Sequence, residues 1–147
     1  MKATLVLDAS VALKAILPNP LQTYCQALIK TFSDTQPAAP ALWAHETTSA
    51  IAKTVHFGQI TEAEGRLALA QLQLLGVQLF VPDADQNLAA FEWTLPLKRA
   101  AAYDSYYLAL AQALKCDFWT ADRHLFKALE INHLKWLHWI EEIPVLE

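Results

Sequence analysis

Thr4-Leu5-Val6-Leu7-Asp8 is the stretch that decides the fold, because a continuous apolar run ends there in an aspartate. Such a run is typical of a strand that is buried on both faces, as in a parallel sheet. Residues 77–81 and 118–120 also read as strands, and helical segments alternate with them. This alternation predicts an α/β fold of three layers, α/β/α, in which helices cover both faces of a central, mostly parallel sheet.

Helices account for most of the remaining chain. Caps and breakers predict them at residues 11–17, 21–32, 41–57, 61–75, 83–95, 100–115 and 122–129. The residues predicted to cap helix starts are Ser10, Asp83 and the capping-box pair Thr61 and Glu64. Pro96 is predicted to end its helix. Residues 36–40 read as a turn with room for a very short strand, and residues 134–140 form a last apolar run.

The composition describes one domain over residues 1–147, with a single core. Hydrophobic residues make up 54% of the chain and charged residues 18%, against a usual charged fraction of about 25%. A domain of this size has limited interior, so some apolar surface is expected to face a partner protein or a second copy. The net charge of −4 argues against binding nucleic acid through a broad basic face, but leaves room for a local basic cluster.

The location of the protein is predicted to be cytoplasmic. Cys25 and Cys116 lie far apart in sequence and are expected to be free thiols in a reducing compartment. The apolar N-terminal segment 3–17 is interrupted by Asp8 and Lys14, so it does not read as a signal peptide. No run approaches the roughly 18 apolar residues that suggest a membrane span.

Four acidic residues are the candidate site. Asp8 and Asp122 each follow a predicted strand, and reactive groups in parallel sheets collect at the carboxyl ends of strands. Asp104 is predicted to share a helix stripe with Tyr107, Leu108 and Ala111. A carboxylate on such an apolar stripe must be paired, hydrogen-bonded or bound to a metal. Each acid alone has an ordinary explanation: Asp8 and Asp122 as caps, Asp104 near a helix N-terminus, and Glu46 as an exposed acid near Lys53.

If the four acids lie together, their mutual repulsion must be relieved by protonation or by a cation. Two carboxylates about 5 Å apart repel by roughly 3 kcal/mol at an effective dielectric near 20. Several such pairs would rival a folding stability of about 5–15 kcal/mol. Such a cluster therefore requires protonation or a hard cation, and carboxylate oxygens suit Mg²⁺ or Mn²⁺. Ions of this kind can activate water and clamp a phosphodiester.

Four segments together resemble the PIN-domain nucleases, and among them the VapC toxins of bacterial toxin–antitoxin pairs. The resemblance covers nearly the whole chain, in order and at matching intervals. The segments are Val6-Leu7-Asp8-Ala9-Ser10-Val11-Ala12-Leu13-Lys14, Ala39-Pro40-Ala41-Leu42-Trp43-Ala44-His45-Glu46, Ala102-Tyr103-Asp104-Ser105-Tyr106-Tyr107-Leu108-Ala109-Leu110-Ala111 and Trp119-Thr120-Ala121-Asp122-Arg123.

The resemblance implies a magnesium-dependent ribonuclease, inhibited by a cognate antitoxin and forming homodimers. It implies these catalytic and metal-binding acids: Asp8, Glu46, Asp104 and Asp122. Ser10 and Thr120 would support the carboxylates by donating hydrogen bonds. Ser49 stands where many relatives carry an asparagine, and it retains a hydroxyl within reach of Glu46.

Four basic residues are candidates for contacts to RNA phosphates: Lys14, Lys53, Arg99 and Arg123. Arg123 is favoured because it adjoins Asp122, although an ordinary solvated charge is an equal alternative for each. An H-E-x-x-H zinc motif is absent because Ser49 takes the place of the second histidine. A phosphatase of the HAD type needs a second acid at position 10, where this chain has Ser10, so the sequence does not fit that class of enzyme. The remaining rival is a PIN-like module that binds RNA or a partner without catalysis.

Overall fold

The computed structural model describes residues 2–98 and 102–145. Within them, five strands form one sheet in the order β3-β2-β1-β4-β5, and every neighbouring pair is parallel. The strands are β1 (Ala3–Leu7), β2 (Thr35–Pro40), β3 (Gln78–Phe80), β4 (Asp117–Thr120) and β5 (Leu137–Trp139).

The helices of the described residues lie between these strands in sequence, and the predicted three-layer α/β/α architecture is confirmed. They are α1 (Ala9–Ile16), α2 (Gln22–Lys30), α3 (Leu42–His56), α4 (Glu62–Leu74), α5 (Ala84–Leu97), α6 (Tyr103–Leu114) and α7 (Arg123–Glu130). Short 3₁₀ turns follow α2 at Thr31–Ser33 and β5 at Ile140–Glu142. None of the described helices is long and apolar enough to cross a membrane.

β1 is the central strand, and its position explains its unbroken apolar sequence. Val6 and Leu7 are fully buried, because helices cover both faces of the sheet. The chain leaves β1 to build β2 and β3 on one side, then crosses over to build β4 and β5 on the other. The strand order therefore reverses between β1 and β4, which is where open α/β sheets form a crevice at the carboxyl ends of their strands.

Residues 36–40, predicted as a turn with room for a very short strand, form a longer strand than expected and no turn. These residues lie in β2, a six-residue strand that pairs with both β1 and β3. Pro37 and Pro40 hide the strand from a propensity argument, because proline cannot donate to a ladder and is rare inside sheets. Ala38 and Ala39 between them are fully buried, so packing outweighs the local preference.

Two predicted helix boundaries were also wrong. Asp8, not Ser10, occupies the N-cap position of α1, and Ser10 lies inside the helix. Pro96 lies inside the last turn of α5, which ends at Leu97, with Lys98 in a left-handed conformation at its C-cap. A proline so near the end of a helix removes only one intrahelical hydrogen bond. The predicted helix start at Ala100 lies outside the described residues.

The other predicted caps were confirmed. Thr61 and Glu64 form the capping box of α4, with each side chain accepting from the other residue's backbone N–H (3.1 and 2.9 Å). The carboxylate of Asp83 accepts from the backbone of Gln86 at the start of α5. Both cysteines are free thiols, as predicted.

Candidate active site

Asp8 lies at the carboxyl end of the central strand, with 6% of its surface exposed. Its backbone N–H donates to the carbonyl of Trp119 (3.1 Å), which continues the β1–β4 ladder by one residue. Its Oδ2 atom accepts two hydrogen bonds, from the hydroxyls of Ser10 (2.6 Å) and Thr120 (2.8 Å). The carboxylate is therefore held by two side chains instead of capping α1.

Thr120 connects Asp8 to the second acid of this sheet edge. Its buried hydroxyl donates to Asp8 and accepts from the backbone N–H of Asp122 (3.0 Å). The carboxylate of Asp122 accepts from the backbone of Leu125 (3.2 Å), so it caps α7 as its sequence position predicted. Asp8 and Asp122 thus lie at neighbouring strand ends and share the Thr120 hydroxyl as an intermediary.

Helix α1 contacts the short loop that leads from β4 into α7. The Ser10 hydroxyl, besides donating to Asp8, accepts from the backbone N–H of Ala121 (3.0 Å). The Lys14 ammonium donates to the carbonyl of the same residue (2.7 Å). Lys14 was a candidate for RNA contacts, but in this structure it binds the loop that carries Asp122.

Glu46 reaches the site from α3. It is half-buried, and its Oε1 atom accepts from the hydroxyl of Tyr107 (2.7 Å). Tyr107 is fully buried in α6, where its ring stacks on Phe118 at 5.8 Å between centroids. Burial, followed by the charges of Asp8 and Glu46, raises the pKa of Tyr107, so its hydroxyl remains a hydrogen-bond donor. The alternative of an exposed glutamate paired with Lys53 was therefore wrong.

The pKa shifts of Asp8 and Glu46 show that three of the acids lie close enough to interact electrostatically. Burial raises the pKa of Asp8 to about 7, against the hydroxyl bonds that lower it, and the charges of Asp104 and Glu46 raise it further. Burial also raises the pKa of Glu46; the Tyr107 bond opposes this shift, and the charge of Asp104 adds to it. The structure thus places Asp8, Glu46 and Asp104 within electrostatic range, from β1, α3 and α6 respectively.

The donor set fits a hard divalent cation in its chemistry. Among residues 2–98 and 102–145, no three His, Cys, Asp or Glu side chains stand in an arrangement that could hold a metal ion as placed. Mg²⁺, however, keeps several waters and needs only one or two carboxylates together with substrate phosphates. The charge of Asp104 raises the pKa of both Asp8 and Glu46, and carboxylate oxygens gathered in this way are the ligands that such an ion prefers.

A cavity of about 610 Å³ adjoins the acidic cluster on the α3 side. Its lining includes Glu46, Ser49 and Lys53 from successive turns of α3, and Tyr103 from the start of α6. Lys53 and Tyr103 are both exposed, and Tyr103 precedes Asp104 directly. The Lys53 ammonium and the Tyr103 ring therefore line the same cavity as one of the candidate acids, Glu46.

Arg123 is a further basic candidate, and its contacts lie outside this cavity. Arg123 forms an ion pair with Glu141 (3.3 Å), and its guanidinium lies over the ring of Trp139 at 4.7 Å from the centroid. These contacts tie it to the C-terminal segment. Arg99 lies outside the described residues.

Tyr107 is the residue that sequence reasoning did not assign. Its place on the stripe of Asp104 was predicted, but its contact with Glu46 was not. The available signal was a tyrosine on an apolar helix face, because a buried tyrosine hydroxyl usually finds a hydrogen-bond partner. Nothing in the local sequence indicates which residue that partner is.

A family model and several solved structures match this chain. A family model described as the PIN domain matches residues 5–132. Among solved structures, PAE2754 from Pyrobaculum aerophilum superposes with a TM-score of 0.68 at 17% identity, covering 97% of this chain and 94% of that one. No curated protein matches the chain.

Two further solved structures share the fold. VapBC2 from Rickettsia felis, bound to a DNA fragment from its promoter, gives a TM-score of 0.65 at 15% identity, covering 92% of this chain and 98% of that one. VapC20 from Mycobacterium tuberculosis, a toxin that cleaves the Sarcin-Ricin loop, gives 0.62 at 12% identity, covering 84% and 94%. At these identities the likeness establishes a shared fold.

Proposed function

This chain belongs to the PIN-domain family, a family of nucleases, and on that premise we propose that it is a metal-dependent endoribonuclease. It hydrolyses RNA phosphodiesters and serves as the toxin of a toxin–antitoxin pair. The observation that carries the proposal is the convergence of Asp8, Glu46 and Asp104 near the carboxyl end of the central strand, where the charge of Asp104 raises the pKa of both Asp8 and Glu46. A structural role alone does not account for three such carboxylates.

The acids of the site would hold one or two Mg²⁺ or Mn²⁺ ions: Asp8, Glu46, Asp104 and Asp122. A divalent ion bound there supplies a polarised water and stabilises charge on the phosphate oxygens. The chain's own residues prepare the ligands. Ser10 and Thr120 orient the Asp8 carboxylate by donating to one of its oxygens, as groups surrounding metal ligands commonly do.

RNA is the substrate that best suits the cavity beside Glu46. The exposed Tyr103 ring offers a face on which a splayed-out base can stack, as single-stranded RNA readers commonly do. Lys53 lies two helical turns, about 10 Å, beyond Glu46, which suits contact with a neighbouring phosphate. The net charge of −4 agrees with a local contact of this kind rather than a broad basic face.

Two observations support the assignment as a toxin: the solved structures that share the fold, and exposed apolar side chains on α5. VapC20 is itself a toxin, and VapBC2 is bound to a DNA fragment from its own promoter. Three apolar side chains on one face of α5 are each more than half exposed, namely Leu88, Phe91 and Leu95. This stripe supports a protein partner, and we include a homodimer, a cognate antitoxin and a cytoplasmic location in the proposal.

The rival function is a PIN-like module that binds RNA or a partner without catalysis. Such a module has no need for four acids, and substitution of any one of them would be harmless to it. Here all four are present, and Ser10 and Thr120 form a dedicated set of hydrogen bonds around Asp8. These contacts favour the catalytic function.

Cleavage of RNA by the purified protein tests the proposal. We expect cleavage with Mg²⁺, its loss when EDTA is added, and its return when Mg²⁺ is restored in excess. Cleavage that persists in EDTA, or no cleavage of any RNA from a total cellular pool, would overturn the metal-dependent nuclease. Expression without the antitoxin should halt growth; harmless expression of an active enzyme would contradict the toxin assignment alone.

A further inference from the structure

The hydroxyl of Tyr107 lies between two elements of the candidate site. It donates to Oε1 of Glu46 on α3 at 2.7 Å. The backbone N–H of Ala9, the first residue of α1, lies close enough to lower the pKa of Tyr107 against the larger effect of burial. Ala9 directly follows Asp8 in sequence, and Tyr107 itself lies one turn after Asp104 on α6. The phenol oxygen therefore lies among the elements that carry three of the four acids.

The buried ring does not by itself explain this hydroxyl. Tyr107 is fully buried and stacks on Phe118, and a phenylalanine would supply the same ring contact. A buried hydroxyl is costly unless it is bonded, so its presence calls for a partner. The partner is a carboxylate that reaches in from another helix, 61 residues away in sequence.

The bond to Tyr107 restricts the Glu46 side chain but uses only part of the hydrogen-bonding capacity of its carboxylate. A carboxylate has two oxygens and about four lone-pair sites, so an Oε1 atom that accepts from Tyr107 leaves the group able to accept further bonds. Because one carboxylate oxygen is already fixed in the folded protein, the Glu46 side chain loses less rotamer freedom when it binds a ligand. The effect is the same as that of the hydroxyls of Ser10 and Thr120 on Asp8.

We propose that Tyr107 is a positioning residue, whose hydroxyl holds the Glu46 carboxylate ready for a divalent metal ion. This inference rests on the proposed function, because it concerns the same acids. It assigns Tyr107 no contact with substrate. Groups that orient metal ligands in this way typically contribute 10–100-fold to metal affinity or activity.

Binding of Mn²⁺ to the purified protein without RNA tests the assignment, by calorimetric titration of Tyr107→Phe and wild type. The variant keeps the ring and loses only the hydroxyl. Tyr106→Phe is the matched control, since it removes a hydroxyl from the adjacent residue of the same helix, where it donates to Asn87 at 2.8 Å. We expect roughly tenfold weaker binding for Tyr107→Phe and unchanged binding for Tyr106→Phe.

A double substitution shows whether the effect passes through Glu46. In a Glu46→Ala background, Tyr107→Phe should cause no further loss of Mn²⁺ affinity. Wild-type affinity in Tyr107→Phe, an equal loss in both backgrounds, or a Tyr107→Phe protein that circular dichroism shows to be unfolded would each overturn the assignment. A wild-type protein that binds no Mn²⁺ and cleaves no RNA would instead overturn the proposed function, and this inference with it.

Discussion

The hydroxyl of Thr120 donates a hydrogen bond to Oδ2 of Asp8 over 2.8 Å, at the fully buried end of β4. The hydroxyl oxygen of Thr120 also accepts a hydrogen bond from the backbone N–H of Asp122 (3.0 Å). A single side chain therefore satisfies a carboxylate on one strand and a backbone donor after the next. Asp8 is buried and Asp122 only partly so, and the loss of the hydroxyl therefore falls mainly on the Asp8 carboxylate, which solvent does not readily reach.

Replacing Thr120 by valine should therefore lower both stability and activity. The change keeps the shape and removes the hydroxyl, and an unsatisfied buried partner costs about 1–3 kcal/mol. Urea denaturation measures the loss, and RNA cleavage should fall in the same variant. Thr120→Ser is the control, since it retains the hydroxyl and should keep most activity. Equal stability of the wild type and Thr120→Val would contradict the importance of this bond.

The raised pKa of Asp8 predicts how stability of the metal-free protein varies with pH. The pKa is about 7 in the folded protein and 3.8 in the unfolded chain, so between these values the folded state binds more protons. The free energy of unfolding must then fall as pH rises, by up to about 1.4 kcal/mol per pH unit, and level off above pH 8.

Asp8→Asn isolates this contribution, because it cannot titrate. In EDTA, we expect the free energy of unfolding of the wild type, relative to the variant, to drop by roughly 3 kcal/mol between pH 5 and pH 8. Denaturant titrations at several pH values measure it. Added Mg²⁺ should restore the wild type mainly at pH 8, because metal binding requires a deprotonated carboxylate. Parallel pH profiles of the two proteins would contradict the assignment.

How much of this fold the sequence predicts depends on which residues carry the signal. The apolar run ending in Asp8 predicts a buried central strand, since burial on both faces removes polar alternation. The strand with Pro37 and Pro40 escapes prediction, because its place in the sheet comes from pairing with β1 and β3 and not from local propensity. The order of the strands is likewise a property of distant pairings.

The candidate site divides in a similar way. Asp8 and Asp122 can be found from the sequence alone, because each follows a strand whose end lies at one sheet edge. Glu46 has no such local signal, and its partner Tyr107 lies 61 residues away, so their contact depends on how α3 and α6 pack. The family resemblance located Glu46 where spacing could not.

Asp104→Asn should abolish RNA cleavage and leave the fold intact. An amide binds Mg²⁺ poorly, so cleavage should fall below detection while the circular dichroism spectrum is unchanged. Asp34→Asn is the control: Asp34 is exposed and precedes β2 at the opposite edge of the sheet, so its loss should not change the rate. Full activity of Asp104→Asn would remove Asp104 from the catalytic set.

Lys53 is predicted to contact an RNA phosphate from the cavity beside Glu46. In an Asp104→Asn background, which binds RNA without cutting it, Lys53→Ala should weaken binding uniformly across sequences. Each phosphate contact to a single strand contributes about 0.7 to the slope of log affinity against log salt, so the slope should become shallower by that amount.

Lys30→Ala separates this effect from a change in net charge. Lys30 is exposed at the end of α2, near the opposite edge of the sheet, so its removal changes the total charge equally without touching the cavity. Filter binding at several salt concentrations measures both slopes. If Lys30→Ala and Lys53→Ala shift the slope equally, the contribution of Lys53 is a general field effect, and the path of RNA along α3 is wrong. If only Lys53→Ala shifts it, the RNA backbone passes from the carboxylates along this helix.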